Sequence, residues 1–155
     1  MGRAVKAQNA PIAGVICEAR RVIADERGAV LHFLRSDSPV FSGFGEVYFS
    51  EILPGVVKGW RRHRLQTQRW VVPVGRVRVV LYDDRPESPT KACRSVYELG
   101  RPDDYAMLVI PPGIWYAFGA IGDEAALVAN CADIPHSPGE ADSVPLDQGP
   151  IPYAW

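Results

Sequence analysis

Short runs of alternating polar and apolar residues, each closed by a turn signal, make up most of this chain. Glu46-Val47-Tyr48-Phe49-Ser50-Glu51-Ile52 follows the period of two expected of a half-buried strand. Val77, Val79 and Leu81 alternate with Arg76, Arg78 and Val80, which gives the apolar face of an antiparallel sheet packed on a core. The same pattern predicts a short strand or a helical turn at 15–23, and strands at 30–35, 56–60, 69–74, 95–99, 107–110, 115–118 and 125–130. Turns fall at 25–28, at Leu53-Pro54-Gly55, at Gly75, in the loop 83–90 and at Pro111-Pro112-Gly113. No stretch carries a long helical period and no segment repeats. Many short strands with frequent turns predict an all-β sandwich or barrel.

Composition narrows this reading. The 155 residues are 47% hydrophobic, enough for one domain with a real core. Fourteen glycines and fourteen prolines are spread along the chain and read as turns. Residues 1–14 read as an N-terminal arm, 15–131 as the barrel and 132–155 as a Pro-rich tail wrapping it. Seventeen basic and eighteen acidic residues leave a formal charge of −1, which argues against a nucleic-acid partner and gives no support to a membrane surface. No apolar run approaches the ~18 residues of a spanning helix, and the first residues lack an apolar signal core. Cys17, Cys93 and Cys131 are odd in number with no CxxC spacing, so reduced thiols and a cytoplasmic location are expected.

The candidate chemistry lies between Gly55 and Gly75. That segment has the spacing of the first cupin motif, and its three ligand positions read Arg61, His63 and Gln68. Pro111-Pro112-Gly113 fits the core of the second motif, with Tyr116 at the fourth ligand position. A cupin jelly-roll barrel follows. A bound metal does not, because divalent transition metals want several imidazole or carboxylate donors and His63 stands alone among the four. No other cofactor is expected.

Several segments taken together carry a wider likeness. They are DERG (25–28), FGEVYFSEI (44–52), VKGWRRH (57–63), QTQ (66–68), LYDDRPESPT (81–90), IPPGIWYAF (110–118) and NCADIPHSP (130–138), with the closing IPYAW. From about Gly14 to Trp155 the chain resembles the dTDP-4-dehydrorhamnose 3,5-epimerase family, its short members in particular. The resemblance implies a metal-free cupin, usually a homodimer, acting on nucleotide-linked 4-keto sugars. It implies a histidine base, a stabilised enolate and a tyrosine acid on the opposite face. Carried over by position, the chemistry is altered. The family motif RGLH falls on Lys58-Gly59-Trp60-Arg61, so Arg61 stands where the base should be, and arginine stays protonated in proteins. Gln68 replaces the lysine near the enolate, Tyr116 replaces a histidine, and the acid tyrosine falls near Ala129. The late aspartate that orients the base belongs to an extension not found here. The pocket lining carries over better: Glu46 for a substrate-binding glutamine, Lys58 for an arginine, Gln66 unchanged, and Asp83 with Arg85 as a matching pair.

Each candidate has a catalytic and a structural reading. Arg61 is an anion clamp or the partner of Glu46 or Asp83 in an ion pair. His63, on the same strand face as Arg61, is a displaced general base, as in short sugar ketoisomerases related to the family, or an interior hydrogen-bonded histidine. Tyr116 is an acid or a filler, with Tyr48 and Tyr82 as alternatives. Gln66 and Gln68 bind substrate or satisfy one another. The expected catalytic set is therefore His63, Arg61 and Tyr116. The expected substrate-binding set is Glu46, Tyr48, Lys58, Gln66, Gln68, Tyr82 and Asp83. His136 is a candidate for the mouth of the pocket. An epimerase-type reaction with a rearranged site leads. A cofactor-independent isomerase, lyase or cyclase on a non-sugar metabolite, or an inactive ligand-binding module, stands behind it.

Overall fold

The computed structural model describes residues 11–148 and 151–155, so most of the expected arm lies outside the described residues. Among these residues the chain forms strands only. They are β1 (Ile16–Ala19), β2 (Val22–Asp25), β3 (Gly28–Leu31), β4 (Glu46–Ile52), β5 (Val57–His63) and β6 (Gln68–Val74). β7 (Arg76–Asp83), β8 (Arg94–Gly100), β9 (Ala106–Ile110), β10 (Ile114–Ala120), β11 (Ala126–Ala132) and β12 (Ala141–Ser143) follow. Among the described residues no helix is long and apolar enough to cross a membrane.

Ten strands build two antiparallel sheets, ordered β1-β9-β6-β11-β4 and β12-β5-β10-β7-β8, and β2 with β3 forms a separate hairpin. This is the jelly roll that the strand pattern predicts. The apolar alternation of β7 works as read: Val77, Val79 and Leu81 are fully buried in the main core between the sheets, with Ile52, Val72, Leu99 and Leu108. The outer face of the second sheet is covered from the tail, where Val144, Leu146, Ile151 and Tyr153 pack on Trp60, Tyr82 and Trp115. The outer face of the first sheet, at Val71, Met107 and Ala129, is covered by Leu31, Phe33, Leu34 and Val40.

Three expected strands differ from the sequence reading by more than two residues. The run 15–23 is two strands, because β1 pairs with β9 while Val22 already pairs with Leu31 in the hairpin. Regular strand stops at Leu31, and the next residues instead pack on the outer face of the first sheet. The strand expected at 56–60 runs on to His63, since β12 pairs Ala141 with His63 and Ser143 with Arg61. Between β5 and β10 the register shifts near Tyr116. Gly59 permits the close approach there, as a Cβ would lie 2.4 Å from that of Ala117. Gly75 turns β6 into β7 at φ +72°, a conformation that favours glycine.

Candidate active site

A cavity of about 610 Å³ opens between the two sheets. β5 and β10 supply one wall with Lys58, Arg61, His63 and Tyr116, and β4 and β11 supply the facing wall with Glu46, Tyr48, Ser50 and Asn130. Trp70, Phe118 and Val128 line the same cavity. Trp70 meets Tyr116 and Phe118 edge-on, at centroid distances of 5.1 and 4.8 Å. Such contacts add about 0.5–1.5 kcal/mol each beyond area burial and fix the ring positions.

At the centre of the first wall lies a buried three-residue chain. The His63 Nδ1 is 2.6 Å from Glu140 Oε2, and its Nε2 is 3.0 Å from the Tyr116 hydroxyl. His63 and Glu140 side chains are each 3% exposed. Glu140 arrives just ahead of β12, and its Oε1 accepts the backbone N–H groups of Leu65 and Gln66, both at 2.9 Å. Burial works to raise the Glu140 carboxyl, but the bonds from His63 and those two amides outweigh it and hold the group below its ordinary value. An ionised carboxylate can only accept, so Nδ1 carries a proton, and whenever the ring is neutral Nε2 is the acceptor. The tyrosine hydroxyl then donates to Nε2. Burial is the main reason why the Tyr116 hydroxyl sits well above its ordinary value, and nearby Tyr48 adds to this. Arg61 and a hydrogen bond with Gln68 pull the other way.

A second polar chain runs behind the facing wall. The Trp70 Nε1 donates to Gln68 Oε1 at 3.1 Å, the Asn130 Nδ2 donates to the same oxygen at 2.9 Å, and the Asn130 Nδ2 also donates to the Tyr48 hydroxyl at 2.9 Å. Two buried oxygens on the cavity wall, Gln66 Oε1 and Asn130 Oδ1, have no hydrogen-bond partner among the described residues. Lys58 Nζ reaches Ser50 Oγ at 3.0 Å. Arg61 makes no ion pair with Glu46 or Asp83; both pairings raised from sequence are absent among the described residues.

Residues 9–155 match the family described as dTDP-4-dehydrorhamnose 3,5-epimerase. The chain belongs to that family. The spore coat polysaccharide biosynthesis protein SpsL of Bacillus subtilis is 31% identical over 134 residues, 85% of this chain and 88% of the other. The probable low-salt glycan biosynthesis epimerase Agl13 of Haloferax volcanii is 38% identical over 112 residues, 71% of either chain. A crystal structure of a dTDP sugar isomerase from Desulfovibrio desulfuricans is 53% identical, covers 98% of this chain and 95% of that one, and superposes with a TM-score of 0.92. That isomerase therefore shares the whole jelly roll with this chain.

Within that family frame, the structure sorts the residues picked from sequence. Arg61, His63, Tyr116, Glu46, Tyr48, Lys58, Gln66 and His136 all line the cavity. Gln68 does not; it stands behind the wall, 1% exposed, with its carbonyl oxygen taken by Trp70 and Asn130. Tyr82 points to the outer face of its sheet, among Trp60, Trp115 and the tail. Asp83 is buried outside the cavity, where it binds Arg85, Ser88 and Thr90. Substrate-binding roles for Tyr82 and Asp83 are thus corrected: the sheet register turns one outward, and hydrogen bonds saturate the other. Sequence reasoning missed Glu140 altogether. The orienting carboxylate implied by the resemblance was looked for in an extension beyond these residues, yet the tail brings Glu140 to 2.6 Å from the His63 Nδ1. The only signal was the turn Ser137-Pro138-Gly139, followed by the short run that becomes β12. Asn130 was missed as well, although its neighbour Ala129 was named; Asn130 faces the cavity while Ala129 faces the outer cluster. Among the described residues no group of three His, Cys, Asp or Glu side chains could hold a metal ion.

Proposed function

We propose that this protein is an isomerase of the epimerase type acting on a nucleotide-linked 4-keto-deoxysugar, with His63 as its base. The observation that carries the proposal is the buried hold of Glu140 on Nδ1, which leaves Nε2 as the accepting nitrogen in the wall of the cavity. A base needs that tautomer and a fixed ring.

The lining suits such a substrate. Lys58 and Arg61 supply positive charge for a diphosphate or a developing enolate. Gln66 and Asn130 add amide side chains to a lining that otherwise carries hydroxyl and charged groups. Substrate would displace the Tyr116 hydroxyl from Nε2. His63 would then take the proton from a carbon beside the ketone, and the electron pair would move onto the ketone oxygen. Tyr116, turned about its C–O bond, and Arg61, its register partner across β10 and β5, would stabilise that oxygen. The names of the relatives, a glycan biosynthesis epimerase and a dTDP sugar isomerase, support a sugar nucleotide as substrate.

Standard double epimerisation at C3 and C5 should be weak or absent, because the ordinary base position holds Arg61 and the ordinary lysine position holds Gln68. The test is proton NMR of dTDP-4-keto-6-deoxyglucose with the enzyme in heavy water. Deuterium should enter at one carbon next to the ketone. No exchange on this or any related keto-sugar nucleotide removes the proposal.

A further inference from the structure

We infer that Tyr48 is the proton donor that works opposite His63, an inference that rests on the proposed reaction. A chain of hydrogen bonds fixes where the Tyr48 proton can point. An indole N–H can only donate, so the Trp70 contact fixes the Gln68 atom at 3.1 Å as the carbonyl oxygen. That oxygen in turn requires the Asn130 atom 2.9 Å away to be the amide nitrogen. The two hydrogens of that nitrogen serve Gln68 and the Tyr48 hydroxyl. Tyr48 therefore accepts from Asn130, and its own proton must point elsewhere. Its hydroxyl lies in the lining of the cavity, and the residue is 39% exposed, so the proton is free to go to a bound molecule or to water.

The other tyrosine of the cavity differs on every count. Tyr116 is 4% exposed, and its proton is already given to His63 Nε2. It also rises from the same sheet as His63, whereas Tyr48 rises from the facing sheet. A base and an acid that invert a carbon must reach it from opposite sides, and of the two tyrosines only Tyr48 stands opposite His63. The Asn130 amide also does for Tyr48 what a donor does for any developing phenolate, because it stabilises the charge left when the proton goes. The family's acid position near Ala129 is on the adjacent strand, β11, where Asn130 is the register partner of Tyr48. The role has moved one strand sideways, and the residue beside the old position supports the new one.

The step balances without any co-reactant. His63 removes the proton from one face of the carbon beside the ketone and becomes imidazolium, and the enolate forms. Tyr48 O–H delivers a proton to the same carbon from the other face and becomes phenolate. His63 returns its proton to water, and Tyr48 takes one from water at the open side of the cavity.

The test compares the parent enzyme, Tyr48→Phe and Asn130→Leu in heavy water, with dTDP-4-keto-6-deoxyglucose as substrate and circular dichroism to confirm folding. In Tyr48→Phe, deuterium uptake at the ring carbon should stay within about threefold of the parent, while inverted product falls at least a hundredfold. Asn130→Leu should slow inversion about tenfold and move its pH profile upward, since the phenol has lost the donor to its oxygen. Inversion that survives in Tyr48→Phe overturns the inference and leaves the reaction standing. Exchange and inversion lost together in folded Tyr48→Phe also overturn it, because Tyr48 is then needed for binding or deprotonation. A parent enzyme with no exchange removes the reaction, and this inference with it.

Discussion

Two buried carboxylates, Asp83 and Glu140, sit in polar clusters that look alike by residue type and differ in what remains unfilled. Asp83 Oδ1 accepts from Arg85 Nε at 2.9 Å and Arg85 N at 3.1 Å, while Oδ2 accepts from Ser88, Thr90 and Arg85 at 2.6–2.9 Å. Arg85 goes on to the carbonyl of Ala13, and Thr90 receives the Ala13 amide. Every valence is spent on the loop 84–93 and the segment before β1. The cluster is a clasp. Glu140 is as thoroughly engaged, but its partner His63 passes the polarity on to a hollow, through a nitrogen whose one bond is to a hydroxyl that can rotate. Saturation marks a structural charge, and an exchangeable bond facing a cavity marks a chemical one.

The strongest way to break that contrast is to alter His63. His63→Asn should lower kcat by about a thousandfold, in the range that a positioned base supplies and equal to about 4 kcal/mol of barrier, with the melting temperature little changed. Full activity in that variant would place the base elsewhere. The clasp should answer in the opposite sense. Asp83→Ala should cost about 3 kcal/mol of stability in urea titration, because it orphans several charge-assisted bonds, while turnover of the surviving folded protein at 25 °C holds near the parent value. Its pH dependence follows from the depressed carboxyl, which the hydrogen bonds hold well below its ordinary value against the opposing effect of burial. A group lowered on folding contributes stability in full above its unfolded value near 3.8 and loses it as the pH falls through the folded value. The acid arm of the stability curve should therefore flatten in the variant. The smallest effect belongs to the surface. Arg62 bonds Asp142 at 2.8 Å and stacks over Trp115 at 4.5 Å, close to His63 in sequence but facing out. Arg62→Ala should leave kcat within about twofold, as befits a partly exposed pair screened by salt.

How far the sequence reveals these features depends on the distance over which each is set. The jelly roll was legible because alternation and turn residues act locally, as in β4 and β7. The aim of His63 and Arg61 into one cavity followed from the period of two along β5. Tyr82 was misjudged because the same period puts it on the face that the tail covers, and nothing local announces a tail. Asp83 was misjudged because a matching motif reports position and cannot report that five bonds already fill the oxygens. Glu140 was invisible for the reason that makes it effective: 77 residues separate it from the imidazole it holds. Only the register of β12 against β5 brings them together.

That register carries a temporal meaning. The carboxylate reaches the imidazole from the residue just ahead of β12, so a barrel lacking that one pairing would hold an undirected ring. Turnover that depends on the directed ring should therefore not appear during refolding before three residues, Ala141 to Ser143, have paired along β5.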